Sequence, residues 1–405
     1  MKIGQLGILS RGVTYSPPED LRSESDSTSI WLLRSTNLQG GEINLDDVTI
    51  VAAHCAKPNQ RLANGDIAIC TANGSKALVG KASLVCLPNP SQYVVGAFCA
   101  RMRPNDGESP EFLAALFESG FYKSWIGRLL AGTNINNLKP SDIASCSIRM
   151  PSSLAQRNRL GEIFSLSRLQ IKTLDRLIAA KREQKRGLMQ QLLTGKLRFP
   201  GFTEPWKTVR LGDVADIDSE LLPASTSPTF AFHYIDLSSV NHGDISAPDK
   251  SIDFATAPSR ARRVLRRGDV LLSTVRPLLL GFGLLDLAGG PYIGSTGFAV
   301  IRTEAEGDAR FIFEWLFSSA ALRQMHARTT GSSYPALGSA DIYGLYLPWP
   351  PSSEREKIGA LFGAMTKELN LLAQQRAAFA AQRRGLMEKL LSGEIDIQNP
   401  KETAA

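Results

Sequence analysis

The chain has 405 residues, of which 43% are hydrophobic and 21% charged, and its formal net charge is +7. These values are typical of a soluble globular protein, and the length predicts two to three domains. The lack of a run of about 18 apolar residues excludes a membrane-spanning helix. The start Met1-Lys2-Ile3-Gly4 does not open a signal peptide, so we expect a cytoplasmic protein.

The cysteines and histidines give no support to a disulfide framework or a metal site. The five cysteines form no CxxC pair and their number is odd, so we expect them to be reduced. The four histidines are scattered, and the sequence therefore predicts no metal ligands. Residues 1–200 carry 25 Lys+Arg against 16 Asp+Glu, or +9, whereas residues 201–405 carry 21 against 23, or −2. A basic balance is compatible with nucleic acid without requiring it.

Residues 1–150 are predicted to form a first domain of strands, turns and short helices. Trp31 to Arg34, Ile67 to Cys70 and Tyr93 to Met102 are apolar runs that indicate buried strands. The spacing of apolar residues from Phe112 to Leu130 predicts one helix. A polar loop, Gly132 to Asn137, follows that helix.

Residues 151–197 are predicted to form a long helix, and residues 348–397 to form a second copy of it. At an offset of 198, residues 155–197 and 353–395 are identical at 14 of 43 positions. Each copy ends in the same pattern, Gly-Leu-Met-x-x-Leu-Leu-x-Gly. Two copies separated by half the chain indicate a duplication rather than a solenoid.

Apolar residues in both copies recur at steps of three and four, which predicts a heptad seam that needs a partner helix. Roughly 40 residues at 1.5 Å each give a helix of about 60 Å. Each copy is the obvious partner of the other, although two unrelated amphipathic surface helices are the alternative. The predicted seam residues are Phe164, Ile171, Leu174, Leu188, Leu192, Phe362, Leu369, Leu372, Leu386 and Leu390.

Residues 198–347 repeat the outline of residues 1–150, and residues 398–405 are expected to be a disordered tail. The turn Gly268-Asp269 and its apolar strand correspond to Gly65-Asp66 and the strand after it. The polar loops differ in length and content between the two domains. A retained scaffold with divergent loops favours two binding modules of different specificity, with ordinary drift after duplication as the alternative.

Motifs for catalysis are not found in the sequence. A methyltransferase requires a glycine-rich loop for S-adenosylmethionine and an Asn/Asp-Pro-Pro-aromatic motif. Gly281-Phe282-Gly283 is a lone glycine pair, and Gly74 to Lys81 has the wrong spacing for a phosphate-binding loop. The sequence therefore predicts a non-catalytic chain, with an unrecognised enzyme as a further alternative.

The repeated helices, their Gly-Leu-Met endings, the Pro-rich segments before them and the paired Gly-Asp turns resemble the specificity subunit of type I restriction–modification enzymes. The resemblance extends over essentially the whole chain. It departs from the family at the start of each helix, where the usual Pro-Pro-Leu-x-Glu-Gln is replaced by Pro151-Ser-Ser-Leu-Ala-Gln156 and Pro350-Pro-Ser-Ser-Glu-Arg355. This departure puts the local contacts at those positions in question.

The resemblance implies an α+β fold in which two α/β target-recognition domains are separated by two long antiparallel helices that form a coiled coil, with pseudo-two-fold duplication. It implies a double-stranded DNA-binding subunit in which each domain reads half of a bipartite target. The helices would set the spacer and dock two modification (methyltransferase) subunits, which restriction subunits join. S-adenosylmethionine, ATP and magnesium would belong to those partners, with no cofactor in this chain. The alternative is a stand-alone DNA-binding or anti-phage adaptor.

Candidate DNA contacts are polar and basic residues in the loops of the two domains, because Arg and Lys pair with guanine and Asn and Gln with adenine. In the first domain they are Arg34, Asn37, Asn73, Ser75, Lys76, Lys81, Thr133, Asn134, Asn136 and Asn137. In the second they are Arg262, Arg263, Arg266, Thr274, Arg276, Ser332, Ser333 and Tyr334. The alternative for the asparagine cluster is a solvated turn, and the alternative for the run of five arginines from Arg260 to Arg267 is a solvated basic face.

A second group of cations lies on the predicted helices. It comprises Lys181, Arg182, Lys185, Arg186, Arg383 and Arg384. These residues could face DNA or an acidic modification subunit, and the sequence alone leaves both interpretations open.

Overall fold

The computed structural model describes residues 1–131, 137–246, 248–330 and 335–394. The chain divides into two units, of which unit 1 contains Met1–Asp175 and Gln374–Ala405 and unit 2 contains Arg176–Ala373. The predicted tail, residues 398–405, lies outside the described residues. Within the described ranges, helices that are long and apolar enough to cross a membrane are absent.

Among its described residues, unit 1 has nine strands and three short helices ahead of its first long helix. The strands are β1 (Gly7–Arg11), β2 (Ser29–Leu33), β3 (Leu38–Gln39), β4 (Glu42–Ile43), β5 (Thr49–Ala52), β6 (Ile67–Cys70), β7 (Ala82–Leu84), β8 (Tyr93–Val95) and β9 (Cys99–Pro104). The helices are α1 (Pro110–Glu118), α2 (Gly120–Ala131) and α3 (Pro140–Ser145), followed by the long α4 (Leu154–Leu192).

Two small sheets and a hairpin organise unit 1. The first sheet is antiparallel in the order β1-β9-β6-β7. The second has the order β5-β2-β8, with β5 antiparallel and β8 parallel to β2. Its largest buried cluster joins Ile67 and Met102 of the first sheet to Phe112 of α1 and to Phe164 of α4. The long helix is therefore part of the core of this unit.

Unit 2 repeats this plan with additions. Its strands are β10 (Lys207–Arg210), β11 (Asp216–Ile217), β12 (Ala231–Ile235), β13 (Val240–Asn241), β14 (Asp244–Ile245), β15 (Ile252–Asp253), β16 (Ala261–Leu265), β17 (Val270–Ser273), β18 (Phe282–Leu284), β19 (Tyr292–Ser295), β20 (Phe298–Arg302) and β21 (Tyr346–Trp349). Its helices are α5 (Glu306–Leu316), α6 (Ser319–Arg328), α7 (Ser339–Tyr343) and the long α8 (Ser352–Ser392).

The sheets of unit 2 have the same connectivity as those of unit 1. The order β11-β20-β17-β18 corresponds to β1-β9-β6-β7, and β15-β12-β19 corresponds to β5-β2-β8. Unit 2 adds β16 at the edge next to β19, and it adds the pair β10-β21. The mixed α and β content that the sequence predicts is confirmed.

Two of the predicted elements are wrong because turns interrupt them. The segment Tyr93 to Met102 is divided between β8 and β9, which lie in different sheets. Cys99 N–H donates to Gly96 O (2.8 Å) and closes the turn between them. The helix predicted from Phe112 to Leu130 is two helices that meet at Ser119. The Ser119 hydroxyl accepts from Tyr122 N–H (3.2 Å) and so caps the second helix.

Both long helices contribute to both units, because the boundary between the units falls within each of them. In unit 1, Leu160 and Phe164 of α4 share a buried cluster with Met387 and Leu390 of α8. In unit 2, Leu192 of α4 shares a cluster with Ile358 and Phe362 of α8. Early residues of one helix thus lie with late residues of the other, so the helices are antiparallel within each unit.

The predicted seam residues are shielded from solvent to different degrees. Phe164, Leu192, Phe362 and Leu390 are buried. The remaining six are half-buried, namely Ile171, Leu174, Leu188, Leu369, Leu372 and Leu386.

Arginines make the contacts at the start of each long helix. Arg157 Nε donates to Glu108 Oε2 (2.9 Å) and Nη1 donates to Pro151 O (2.9 Å). At the corresponding position of the second helix, Arg355 Nε donates to Asp308 Oδ1 (2.6 Å) and Nη1 to Pro350 O. These paired contacts explain how the helix starts are fixed although the sequence departs there from the family motif.

Candidate nucleic-acid interface

Three loops of unit 1 meet around Thr71, at the end of β6. Thr71 N–H donates to Phe98 O (2.8 Å), and Thr71 O accepts from Leu138 N–H (2.8 Å). Ala72 forms a β-bridge with Asn137. Asn73 Nδ2 donates to Ser35 Oγ (3.3 Å), which adds the loop after β2. We call residues 34–37, 71–81, 98 and 137 loop edge 1.

Most of the polar residues predicted to contact DNA in unit 1 lie on loop edge 1 with solvent access. Ser75, Lys76 and Asn137 are exposed, and Asn73 is half-buried. Arg34 is paired with Asp47 (2.6 Å) at an exposed position, where such a pair contributes little to stability. Thr133, Asn134 and Asn136 lie outside the described residues.

Asn37 and Lys81 have different surroundings from the other candidates, because Asn37 is buried and Lys81 lies beside a cleft. Asn37 is 2% exposed, and its side chain accepts from Arg34 N–H (2.8 Å) and donates to Asn44 O and Asp47 O (2.9 Å each). The amide therefore holds the loop in shape and is not presented to a base. Lys81 lines a cleft of about 780 Å³ in unit 1, together with residues of both long helices.

Unit 2 has an equivalent arrangement around Thr274, at the end of β17. Thr274 N–H donates to Gly297 O (2.9 Å), and Thr274 O accepts from Leu337 N–H (2.9 Å). Val275 forms a β-bridge with Ala336, as Ala72 does with Asn137 in unit 1. We call residues 274–281, 296–297 and 335–337 loop edge 2. The two edges are built by the same backbone contacts and carry different side chains.

Loop edge 2 contains unusual backbone geometry. Arg276 and Leu280 have φ values of +49° and +58°, a region that non-glycine residues seldom adopt. Arg276 N–H donates to Pro335 O (2.7 Å), which holds this conformation, and the side chain is exposed. Non-glycine residues in this region cluster at functional sites, where the surrounding structure maintains them. Ser332, Ser333 and Tyr334 lie outside the described residues.

The five arginines between Arg260 and Arg267 do not form one patch. Arg263, Arg266 and Arg267 are paired with Asp218 (2.9 Å), Glu220 (2.8 Å) and Asp286 (2.7 Å). The Arg262 guanidinium lies 4.9 Å from the ring centroid of Phe254. Side chains alternate between the faces of a strand, so a run of arginines along β16 is divided between its two faces.

Among these arginines, Arg263 is shielded from solvent and Arg260 is exposed to it. The Arg263 side chain is 16% exposed, and its partner Asp218 is also largely buried, so this pair holds β16 against the loop after β11. Burial raises the pKa of Asp218 despite the nearby guanidinium. Arg260 is exposed, and its carbonyl accepts from Thr296 N–H (2.8 Å) of loop edge 2. Arg260 is therefore the member of the run that lies beside the candidate interface.

The cations predicted on the long helices are mostly paired within their own units. Lys185 Nζ is 2.8 Å from Glu314 Oε2 in unit 2, and Arg383 Nη2 is 2.7 Å from Glu118 Oε2 in unit 1. Lys181 pairs with Glu368 (2.8 Å) and Arg186 with Glu183 (2.6 Å). Arg182 and Arg384 are exposed. The pairs of Lys185 and Arg383 join a long helix to its domain, and all four pairs reduce the basic surface available to DNA.

The sequence analysis did not identify the ion pairs behind the Gly-Asp turns. Asp66 is joined by two hydrogen bonds to Arg103 (2.7 and 2.6 Å), and Asp269 by two to Arg302 (2.8 and 2.7 Å). Each aspartate also accepts a backbone N–H of its own turn. The preceding glycines have φ near +92°, a backbone conformation in which a residue with a side chain would be strained. The repeated Gly-Asp was visible in sequence, but its arginine partner is more than 30 residues away.

Comparison with known proteins shows what this chain is similar to. Residues 203–378 match the type I restriction modification DNA specificity domain. The chain is 36% identical over 155 residues to the StySPI specificity subunit of Salmonella potsdam, covering 38% of this chain and 33% of that protein. It is 26% identical over 372 residues to the EcoKI specificity subunit of Escherichia coli K12, covering 88% and 79%.

A solved structure shares the fold over nearly the whole chain. The type I restriction–modification S subunit from M. genitalium matches with a TM-score of 0.61 at 14% identity, covering 98% of this chain and 96% of that one. The family match thus covers residues 203–378, which is less than half of the chain. The chain as a whole is similar to type I restriction enzyme specificity subunits, which confirms the resemblance inferred from its repeated helices.

Proposed function

We propose that this chain is the sequence-specific double-stranded DNA-binding subunit of a type I restriction–modification complex. Each unit would read one half of a bipartite target through its loop edge. The observation that carries the proposal is the equivalence of the two edges: Thr71 and Thr274 make the same backbone contacts, whereas the side chains around them differ. Two DNA-binding surfaces with the same backbone and different side chains suit a target with two different halves.

The side chains suggest how the halves would differ. Loop edge 1 carries Asn73 and Asn137, and an amide pairs best with adenine. Loop edge 2 carries the exposed Arg276, and a guanidinium pairs best with guanine. The nearby basic residues Lys76 and Arg260 would contact phosphate and position the protein on the duplex.

The long helices would fix the number of base pairs between the two halves. The supporting observation is their antiparallel packing within each unit, with Arg376 Nε 3.0 Å from Asp175 Oδ1 in unit 1 and Lys181 Nζ 2.8 Å from Glu368 Oε1 in unit 2. At 1.5 Å per residue, the 39 residues of α4 extend about 58 Å. The helices would also dock two modification subunits, which bring S-adenosylmethionine, and restriction subunits, which bring ATP and magnesium.

A matched insertion tests the spacing role. The boundary between the units lies between residues 175 and 176 in α4 and between 373 and 374 in α8. Four helical residues inserted at both points add about one turn, or about 6 Å, and leave the contacts inside each unit intact. We expect a longer gap between unchanged half-sequences. Insertion in α4 alone is the control. It should abolish binding to the target with the original gap and to the target with the longer gap. A change in the half-sequences would contradict the spacing role.

Co-purification distinguishes the proposal from a stand-alone DNA-binding or anti-phage adaptor. The complex isolated from cells that express the whole locus should contain two methyltransferase subunits per copy of this chain. Recovery of this chain alone, still bound to a specific DNA sequence, would favour the adaptor. Turnover by the isolated chain would instead identify an enzyme.

A further inference from the structure

A carboxylate, an imidazole and a thiol converge at the end of β5 in unit 1. They belong to Asp20, His54 and Cys55, and their ligand atoms all lie within 4.8 Å of one another. His54 Nε2 is 3.1 Å from Asp20 Oδ1 and 4.0 Å from Cys55 Sγ. Among the residues that the structure describes, this is the one group of three potential metal ligands that includes nitrogen, oxygen and sulfur.

The backbone fixes the three residues in place. Ala52 N–H at the end of β5 donates to Asp20 O (2.8 Å), and Leu21 forms a β-bridge with Val51. His54 and Cys55 lie in the single 3-10 turn Ala53–Cys55 that follows β5 directly. The cluster therefore does not depend on the chance orientation of long surface side chains.

Asp20 is prepared for a cation. Its side chain is 15% exposed, and Oδ2 accepts Ser16 N–H (2.7 Å), so that Oδ1 is left for His54 and Cys55. The Ser16 N–H, with smaller contributions from Cys55 and His54, holds the pKa of Asp20 below its usual value. A metal-bound carboxylate is commonly oriented by such a hydrogen bond to its second oxygen.

The same three residue types occur in cysteine-based catalytic triads, but the geometry here differs. In a triad, the carboxylate holds one ring nitrogen of the histidine and the nucleophile meets the other. Here the carboxylate and the thiol both approach Nε2 of His54. Convergence on one point is the arrangement of metal ligands rather than of a proton relay.

We propose that Asp20 Oδ1, His54 Nε2 and Cys55 Sγ bind one divalent transition-metal ion of the Zn²⁺ type. In a tetrahedral zinc site, typical bond lengths place oxygen and nitrogen ligands about 3.3 Å apart and sulfur and nitrogen ligands about 3.6 Å apart. The observed separations are 3.1 Å for oxygen to nitrogen and 4.0 Å for sulfur to nitrogen, so a shift of a few tenths of an ångström would bring the ligands to a common ion. A thiol and an imidazole favour Zn²⁺ over Mg²⁺ or Ca²⁺, which prefer oxygen ligands.

The ion would fasten the segment around Asp20 to the edge strand β5. His54 is 74% exposed, so an ion from solution can reach the ring nitrogen, and the fourth position is left for water. This role is structural and independent of DNA recognition, so the metal site can fail while the proposed function stands.

Cobalt titration of the full-length, untagged chain tests the site, because thiolate-bound Co²⁺ has a charge-transfer absorption band that an ion held by oxygen and nitrogen alone lacks. We expect one Co²⁺ per chain with this band, displaced by Zn²⁺ and not by Mg²⁺. Cys55→Ser should abolish the band, and Asp20→Asn and His54→Ala should each weaken affinity by more than about tenfold. Cys86→Ser is the matched control, since Cys86 is an exposed cysteine of the same unit.

The outcomes are decisive in both directions. The metal-free melting temperatures of the variants report whether each variant folds, and His54→Ala is the safest of them because the ring is mostly exposed. The site is excluded by absence of the band in wild-type protein, by its persistence in Cys55→Ser, or by its loss in Cys86→Ser. Unchanged affinity in His54→Ala would exclude it as well.

Discussion

The two units share a scaffold down to individual ion pairs and differ where their loops face solvent. Asp66 with Arg103 in unit 1 corresponds to Asp269 with Arg302 in unit 2. Arg383 with Glu118 corresponds to Lys185 with Glu314. The loops around Thr71 and Thr274 keep their backbone hydrogen bonds while their side chains differ. The residues that hold the fold are thus alike in the two units, whereas the side chains exposed on the loops differ.

The corresponding ion pairs also differ in burial, which predicts that they contribute different amounts to the stability of their units. The Arg302 side chain is 18% exposed and that of Arg103 is 39% exposed, although both aspartates are buried. Glu314 is buried, whereas Glu118 is half-buried and is paired with two arginines, Arg168 and Arg383. Arg302 and Glu314 of unit 2 are therefore more deeply buried than Arg103 and Glu118 of unit 1.

The largest expected effect is the loss of a Gly-Asp aspartate. Asp269→Ala removes the bidentate partner of the half-buried Arg302, which keeps Glu220 (3.0 Å), so unit 2 should be destabilised by about 3 kcal/mol, the lower end of the range for a broken buried pair. Asp66→Ala should cost less, since water reaches Arg103 more easily. Urea unfolding followed by hydrogen exchange would assign each loss to its own unit. Asp47→Ala, at an exposed pair, is the control and should change stability by less than about 1 kcal/mol. Equal losses for Asp66 and Asp269 would contradict the ranking by burial.

The next effect concerns DNA. Arg276→Ala should weaken binding by about 1–3 kcal/mol and relax sequence preference at one half-site only, because a bidentate contact to a base is lost. Fluorescence anisotropy with duplexes altered in either half would measure this. Arg267→Ala removes an exposed arginine of the same unit that is paired with Asp286, and it should leave affinity and preference nearly unchanged. Unaltered preference in Arg276→Ala would remove Arg276 from the interface.

The buried carboxylate of Glu314 in unit 2 predicts that the stability of the protein depends on pH. Burial raises the pKa of Glu314 above its value in the unfolded chain, and Lys185 only partly opposes this. The folded state therefore binds more protons in the window between the two pKa values, so wild-type stability falls there as pH rises. Relative to Glu314→Gln, the wild-type melting temperature should decline from about pH 4 upwards.

A Lys185→Met variant sharpens this prediction. Loss of the ammonium removes a group that favours ionised Glu314, so the decline with pH should become larger than in the wild type. The outcome that contradicts the account is a wild-type protein that gains stability over Glu314→Gln as pH rises through this window.

The smallest effects are expected from exposed ion pairs between the long helices. In Arg376–Asp175 of unit 1 the side chains are 43% and 50% exposed, and in Lys181–Glu368 of unit 2 they are 31% and 46% exposed. Double-mutant cycles on each pair should give coupling energies of about 0.2–1 kcal/mol. A coupling above about 2 kcal/mol in either cycle would show that these pairs, rather than the apolar seam, hold the helices together.

Sequence alone predicted the features that repeat. The long helices follow from apolar periodicity and from identity between the copies, and the Gly-Asp turns stand out because they occur twice. The turn at Ser119 was missed because apolar residues continue on both sides of it. Since one capping hydroxyl is enough to start a new helix, periodicity across such a residue gives no indication of the break.

The candidate site was less predictable, because it depends on which distant residues pair. Residue type pointed to the loops around Thr71 and Thr274, but it did not separate the buried Asn37 from the exposed Asn137. The arginine run could not be resolved without its carboxylates, of which Asp218 lies 45 residues before Arg263. Asp20 lies 34 residues before His54, so the possible metal ligands follow no sequence motif.

The central claim is that each unit reads its own half of a bipartite target. Methylome sequencing of cells that produce the wild-type chain, or a variant in which residues 274–281 of loop edge 2 are replaced, tests it most directly. The account predicts that a bipartite methylated motif in wild-type cells changes in one half only, with the other half and the gap retained. Changes in both halves, or an unaltered motif, would contradict it.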